Sequence, residues 1–488
     1  MSDHKITRRS FVARCAGAAA VATVLPGKLE AGEPESHQAT GIRVGEVTDT
    51  SAIVWVRRTA ASDRNNRGEV VPGRAQDFKH NELPKAKGPV ESLEGACPGA
   101  PGRVRLQYAT DSGLKDAKIT DWVEVNAEGD FIHQFALKGL KADTIYFYLS
   151  ETAQLGGSSK GGVFGQFRTA PAADIASNLV FCVMTCQGYP DRGHPDGHAI
   201  YPSMQALKPA FACLTGDLVY YDNDMPRAMS PDLARYHWQR MFSLPRLVDF
   251  NRQVPTYWLK DDHDTLNNDS WPGMDMGELT FAEGQKIFRQ QAPLAEGPTY
   301  RTFRWGRDLQ IWLVEGRDYR SPNEIPDGPD KTIWGKEQKE WFERTVKESN
   351  AKWKVLVSPT PLVGPDRGGK NDNLANKGFL HEGNELRAWL KANTPDNFFI
   401  ICGDRHWQYH SVHPEFALNE FCPGPASDEH AEGSPGYDAK YHQYHRVAGG
   451  FLSVTLVSEA NKSRIVFRHH NVNGEVGYEW GAAYEVKA

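Results

Sequence analysis

Apolar residues change their rhythm along this chain. From about residue 40 to 169 they tend to alternate with polar ones. Segments 51–56 (SAIVWV), 104–108 (VRLQY), 122–125 (WVEV) and 132–137 (IHQFAL) carry the period of two expected of strands with one face in a core. From residue 178 the alternation gives way to mainly apolar runs at 179–184, 211–215, 254–259, 308–314, 353–357 and 398–402, as expected of strands covered on both faces. Helical spacing separates several of these runs, at 199–207, 232–247, 336–347 and 382–392. Strand patterns at 451–457 and 463–468 close the chain. No internal repeat is visible. The pattern predicts an all-β domain over 40–170, a linker at 170–173 and a mixed α+β domain over 176–488. Between about 60 and 102 Gly, Pro and charged residues dominate, which predicts a long insertion loop, either lying against a neighbour or partly mobile.

Residues 139–148 (GLKADTIYFY) resemble the corner of a fibronectin-type sandwich, where Leu and Tyr pack across a turn. The N-terminus adds a different signal. Thr7-Arg8-Arg9-Ser10-Phe11-Val12 precedes a short Ala-rich apolar stretch, in the manner of a bacterial twin-arginine export signal. Residues 1–31 are therefore expected to direct the protein through the twin-arginine machinery to the periplasm or beyond, with cleavage near Ala31. No later run reaches eighteen apolar residues, so no permanent membrane span is expected. The net charge of −6 comes without any Lys/Arg block, which argues against nucleic acid as a partner. Of seven cysteines, Cys15 would leave with the signal. Cys182, Cys213 and Cys402 sit inside strand-like runs and read as buried free thiols.

The chemistry gathers just past the apolar runs, where an α/β protein presents its reactive groups on loops held by rigid strands. Thr185-Cys186-Gln187 follows the first run and Gly216-Asp217-Leu218-Val219-Tyr220 the second. Asp261-Asp262-His263-Asp264 follows the third, and Gly403-Asp404-Arg405-His406 follows the last before the C-terminal strands. Gly216 permits a sharp turn, after which Asp217 faces the cleft and is able to bridge two cations. Tyr220 is able to bind a hard trivalent ion as phenolate. Asp404 and His406 share a side of an extended segment and could each serve one metal of a close pair. Adjacent carboxylates at 261–264 repel unless a cation or solvent separates them. A thiol, a phenol, carboxylates and imidazoles converging from four loops suit a metal cluster better than a proton-shuttling triad. No Gly-x-Ser-x-Gly setting points to a serine hydrolase.

In order and context these four motifs resemble those of the PhoD-like (alkaline phosphatase D) branch of the calcineurin-like metallophosphatases. The resemblance extends over nearly the whole chain beyond the signal. It implies a four-layer αββα metallophosphatase sandwich with an N-terminal all-β fibronectin-like domain, and iron(III) with calcium in the site. By motif match, Cys186, Asp217, Tyr220 and His406 would hold the iron. Asp217, Asp262 and Asp404 would reach calcium or another divalent metal, and His263 would steady the phosphate. The implied activity is hydrolysis of phosphate mono- or diesters by a water activated on the metals. Where the wider superfamily opens with Asp-x-His, this chain has Cys186, and its Gly-Asn-His is Asp261-Asp262-His263 here. Ser358-Pro359-Thr360-Pro361 offers no His where related phosphatases often have one. Asn371-Asp372-Asn373, 317–320, His410 and the His442/His445 pair are further candidates near the site. Two other readings are a secreted binding protein with a degenerate phosphatase domain and a phospholipase-D-like phosphodiesterase on the same fold. Ligand residues in all four loops weigh against the first.

Overall fold

A computed structural model of the protein describes residues 37–485, apart from 80–81, 160, 395 and 460–461. The export signal expected over 1–31, and Cys15 within it, lie outside the described residues. The first strands are β1 (Ile42–Gly45), β2 (Ser51–Arg57), β3 (Gly102–Ala109), β4 (Lys118–Ile119), β5 (Val123–Val125), β6 (Ile132–Lys138), β7 (Ile145–Ala153) and β8 (Gly162–Arg168). They are followed by β9 (Leu179–Met184), β10 (Phe211–Thr215), β11 (Thr256–Leu259) and a small hairpin of β12 (Asp275–Met276) and β13 (Leu279–Thr280). Next come β14 (Arg301–Trp305), β15 (Leu309–Leu313), β16 (Trp353–Ser358), β17 (Phe398–Cys402), β18 (Gln408–Val412), β19 (Asn419–Pro423) and β20 (His442–Arg446). The last three are β21 (Phe451–Ser458), β22 (Lys462–His470) and β23 (Val476–Glu485). Among the described residues six helices intervene: α1 (Ile200–Ala206), α2 (Pro231–Phe242), α3 (Pro245–Asn251), α4 (Phe281–Gln291), α5 (Gly335–Glu348) and α6 (Leu380–Asn393).

Two large sheets carry the architecture. One has nine strands in the order β23-β22-β21-β9-β10-β11-β1-β2-β6, the other seven in the order β14-β15-β16-β17-β19-β18-β20. Strands β9, β10 and β11 run parallel, as do β15, β16, β17 and β19. The period of two decides the layers. In β10, Phe211 and Cys213 face the opposing sheet, whereas Ala212 and Leu214 face helices α1 to α4. In β15, Leu309, Ile311 and Leu313 point into the core between the sheets and Trp312 points out, toward α5 and α6. Helix, sheet, sheet and helix therefore stack as four layers, each apolar face covered by its neighbour.

Strands β1, β2 and β6 pack against the sheet of β3, β4, β5, β7 and β8, with Val44, Val54, Leu106, Tyr148 and Phe167 in one core. At the corner, Leu140 and Tyr146 are buried and the Tyr146 hydroxyl accepts a hydrogen bond from the Lys141 amide at 2.8 Å. This sandwich is continuous with the larger layers. Gly45 of β1 pairs in parallel with Thr256 of β11, so one of its sheets continues into the nine-stranded sheet. The segment 60–102 lies against α2: Leu93 and Ala96 pack on Tyr236, and the Tyr236 hydroxyl donates to the Glu94 carbonyl at 2.7 Å.

Several features differ from the sequence pattern, among them strands β14, β18, β19 and β20 and the closing strand β23, which follows the two expected to end the chain. The helix expected over 232–247 is broken into α2 and α3. Pro245 has no amide hydrogen and disfavours a helical residue before it, and Leu244 is extended at φ −64°, ψ 132°. Helix α4 was not evident from apolar spacing. Its signal lay in Thr280, whose side chain accepts from the Glu283 amide at 3.2 Å, a Thr-x-x-Glu start. The six described cysteines are all free and buried. No described helix is long and apolar enough to cross a membrane.

Candidate metal centre

The carboxyl ends of β9, β10 and β11 in one sheet and of β16 and β17 in the other meet at a common rim. At each of three strand ends the chain enters the left-handed region: Cys186 has φ 50°, Gly216 97°, Asp217 54° and Asp404 64°. For Cys186, Asp217 and Asp404 this conformation costs roughly 1–3 kcal/mol, a strain that collects at functional sites. Gly403 lets the two sheets close up here. A Cβ at that position would lie 2.6 Å from the Thr215 carbonyl oxygen, 2.7 Å from that of Pro359 and 2.8 Å from Thr185 Oγ1.

The turns bring the strand-end side chains together. Cys186 Sγ is 3.4 Å from Asp217 Oδ2, and Tyr220 Oη is 3.3 Å from the same oxygen. Tyr220 Oη is also 3.5 Å from His406 Nε2, across 186 positions of sequence. Three sets each offer ligand atoms within 4.8 Å of one another: Cys186, Asp217 and His406; Asp217, Asp262 and His263; and Asp217, Asp261 and Asp404. Asp217 belongs to all three.

A further layer holds these groups. His263 Nδ1 is 2.6 Å from Asp222 Oδ1. Asp264 accepts from the Leu218 and Asp261 amides at 3.1 and 2.6 Å, tying the β10 and β11 loops together. Arg317 Nε donates to Asp261 Oδ1 at 2.5 Å, and its Nη2 is 3.5 Å from Asp262 Oδ2. Arg405 contacts Asp404 and lies 3.1 Å from Asp366, while Lys370 reaches Asp269 at 3.1 Å and Asp372 at 3.3 Å.

The chain is similar to known proteins in sequence and in fold. The sequence profile described as PhoD-like phosphatase matches residues 181–450, and that of the PhoD-like phosphatase N-terminal domain matches 26–171. The chain belongs to the PhoD-like phosphatase family. Alkaline phosphatase D of Bacillus subtilis (strain 168) is 22% identical over 324 residues, covering 57% of this chain. The match spans about half of that relative, 54% of its length. Among solved structures, one of PhoD superimposes with a TM-score of 0.68 at 17% identity, covering 94% of this chain and 91% of the other. The purple acid phosphatase PPD1 from yellow lupin (Lupinus luteus) seeds gives a TM-score of 0.60 at 13% identity, covering 90% of this chain and 73% of the other. Both likenesses are of fold.

In this centre the electrostatics ask for a cation. Asp217 Oδ1 is buried without a hydrogen-bond partner. Burial raises the Asp217 carboxyl well above the usual carboxylate range, and Asp262, Asp264 and Asp404 add to the effect. Burial and then the Asp217 charge push the Cys186 thiol and the Tyr220 phenol up as well. Asp404 is raised to about 6, chiefly by burial, against the pull of Arg405. Burial, then His430 and His263, hold His406 well below its ordinary value, which leaves a neutral imidazole with a lone pair to give. Arg317, Arg405 and the His263 imidazolium offset part of this negative charge, but Asp217 Oδ1 is left without a partner, and a bound cation would supply one. The donor set, with soft thiolate, hard phenolate and carboxylates, and imidazole, fits a bound metal.

His430 is the main residue at this centre that sequence reasoning missed. It is buried, its Nε2 is 2.9 Å from Tyr220 Oη, and its ring centroid lies 4.3 Å from that of His406. It sits on a single 3-10 turn (Asp428–His430) after β19, with no apolar run of its own to mark it. Asp261, taken with its neighbours only as an acidic cluster, also reaches the centre. Of the further candidates, Arg317 and Asp372 support site carboxylates or their partners. Asp318 instead pairs with the buried Lys260. His410 bonds Tyr478 and Asn419, and His445 bonds Ser434, away from the rim. At 358–361 the Ser358 hydroxyl donates to the Thr360 carbonyl at 2.7 Å and serves the turn.

Proposed function

We propose that this protein is an exported, metal-dependent phosphoric ester hydrolase, an alkaline phosphatase acting on phosphate mono- or diesters. The observation that carries the reading is the sharing of Asp217 by three sets of ligand atoms drawn from four strand ends. Family membership and the description of its relatives as phosphatases support it. Cys186, Asp217, Tyr220 and His406 would hold iron(III), and Asp217, Asp262 and Asp404 would hold calcium or another divalent ion. Such a pair supplies Lewis acidity toward phosphoryl oxygens and makes water acidic enough to act near neutral pH.

The chain's own residues define the rest. Asp222 fixes the His263 ring through Nδ1, leaving Nε2 to meet a phosphoryl oxygen. The His263 side chain keeps 13% of its surface exposed, enough to reach a ligand arriving from solvent. Arg317 holds the Asp261 and Asp262 carboxylates in place, and Asp264 locks the two loops that carry Asp217 and Asp262. No covalent nucleophile is called for. Residues 40–170 would serve as the N-terminal domain and 176–488 as the catalytic one, exported by the signal at 1–31 to the periplasm or the medium.

Turnover of p-nitrophenyl phosphate and bis-p-nitrophenyl phosphate, with and without chelator, tests this. Chelator-sensitive hydrolysis is expected, and the ratio of the two rates reports the ester class. A purified protein that hydrolyses neither ester when supplied with iron and calcium would fail the reading.

A further inference from the structure

We infer that the insertion at 60–102 completes the metal centre: Arg74, acting through Asp191 and His430, positions the Tyr220 phenol. The inference rests on the cation-binding reading above and extends it to residues outside the four loops. The chain of contacts is continuous. Arg74 Nη2 meets both Asp191 Oδ2 and His430 Nδ1, and those two atoms are themselves 2.7 Å apart. The opposite nitrogen of the same ring, Nε2, is 2.9 Å from Tyr220 Oη. The phenol oxygen is thus fixed between His430 on one side and Asp217 on the other.

The insertion is anchored for this task. The Ala75 amide donates to the Asn223 carbonyl at 2.7 Å, and the Met225 amide to the Gly73 carbonyl at 3.1 Å. The loop is therefore stitched to the stretch of chain that begins directly after Tyr220. The Arg74 amide is held by Asp77 Oδ2 at 2.7 Å. Space for the cluster depends on Gly188, where a Cβ would lie 2.7 Å from Asp191 Oδ2, 3.0 Å from His430 Nδ1 and 3.1 Å from Arg74 Nη2. A buried ion pair contributes little to stability, because desolvating the two charges offsets their attraction. Arg74 is only 7% exposed, and a contact placed one ring away from a metal-type phenol acts instead as the outer partner that orients a ligand.

Equilibrium dialysis against graded chelator, with bound metal read by elemental analysis, tests the inference. The variants are Arg74→Met, Arg74→Lys, His430→Phe, Tyr220→Phe and the Arg74→Met/Tyr220→Phe double substitution, with melting in excess chelator as the fold control. Arg74→Met should weaken metal retention by about tenfold, the usual size of an outer-partner effect. Arg74→Lys should restore part of it, and in the Tyr220→Phe background Arg74→Met should cost nothing more. Should Arg74→Met not fold, His430→Phe takes its place in the same comparison. Wild-type retention in the Arg74→Met or His430→Phe protein, or an undiminished loss in the Tyr220→Phe background, overturns the inference alone. Wild-type protein that retains no metal overturns the metal reading and the inference with it.

Discussion

The sulfur of Cys186 lies 3.4 Å from the Asp217 carboxylate, although the two residues leave different strands. Those strands are parallel neighbours paired Ala212↔Cys182, so the contact is set by sheet register and by the left-handed turn each residue makes. A thiolate and a carboxylate at this separation repel strongly in a dry site, and only a cation shared between them makes both charges tolerable.

Asp217 is accordingly the residue whose loss should matter most. Asp217→Asn removes the carboxylate common to all three ligand sets and should lower kcat by at least about 10²-fold, the scale of losing a directed electrostatic contact. The cation-free fold should be as stable as before or slightly more so, because a buried, unpartnered carboxylate oxygen is replaced by a neutral group. Steady-state kinetics and melting in chelator check both halves. Near-normal turnover would remove Asp217 from the bridging position.

Tyr220 gives the iron assignment an optical test. A phenolate on iron(III) has a visible charge-transfer band, so the loaded protein should be coloured and Tyr220→Phe should lose the colour while keeping its far-ultraviolet spectrum. A colourless, fully active and iron-free enzyme would sink the assignment.

His263 predicts a pH dependence. Burial disfavours its charge, but the Asp222, Asp262 and Asp217 carboxylates outweigh burial and hold the imidazolium well above its ordinary range. A folded-state value above the unfolded one, about 6.5, means the pair's contribution to stability is complete below that pH. It is lost as pH rises through the folded value. In chelator, the melting difference between wild type and Asp222→Asn should be largest near pH 6 and shrink toward alkaline pH. A difference that is flat or grows across that range contradicts the pairing.

Gly403 is predicted to be intolerant of a methyl group. Gly403→Ala would press a carbon against two backbone carbonyl oxygens and should cost about 1–3 kcal/mol in urea unfolding. Turnover should fall too, since the same shift moves Asp404 and His406 from the rim. Unchanged stability together with unchanged kcat would mean the strand ends are less tightly joined than they stand here.

Much of this protein was determined by local pattern. The switch from alternating to continuous apolar runs marked where half-covered strands give way to strands covered on both sides, because burial of alternate faces is written into adjacent residues. The metal-type residues Cys186, Asp217, Tyr220, Asp262, His263, Asp404 and His406 were visible for the same reason, each lying just beyond a run that had to end. Pairings between distant segments were decided only by the tertiary structure. Nothing near Ile42 announces that β1 will add to β11, and nothing near Arg74 or His430 announces that they will meet beside Tyr220. These contacts span 210 to 356 positions; the first extends one sheet edge to edge, and the others exist because two sheets pack face to face and bring their strand ends to one rim. Local propensity records how a segment is covered, while the identity of its partner depends on how the whole chain closes.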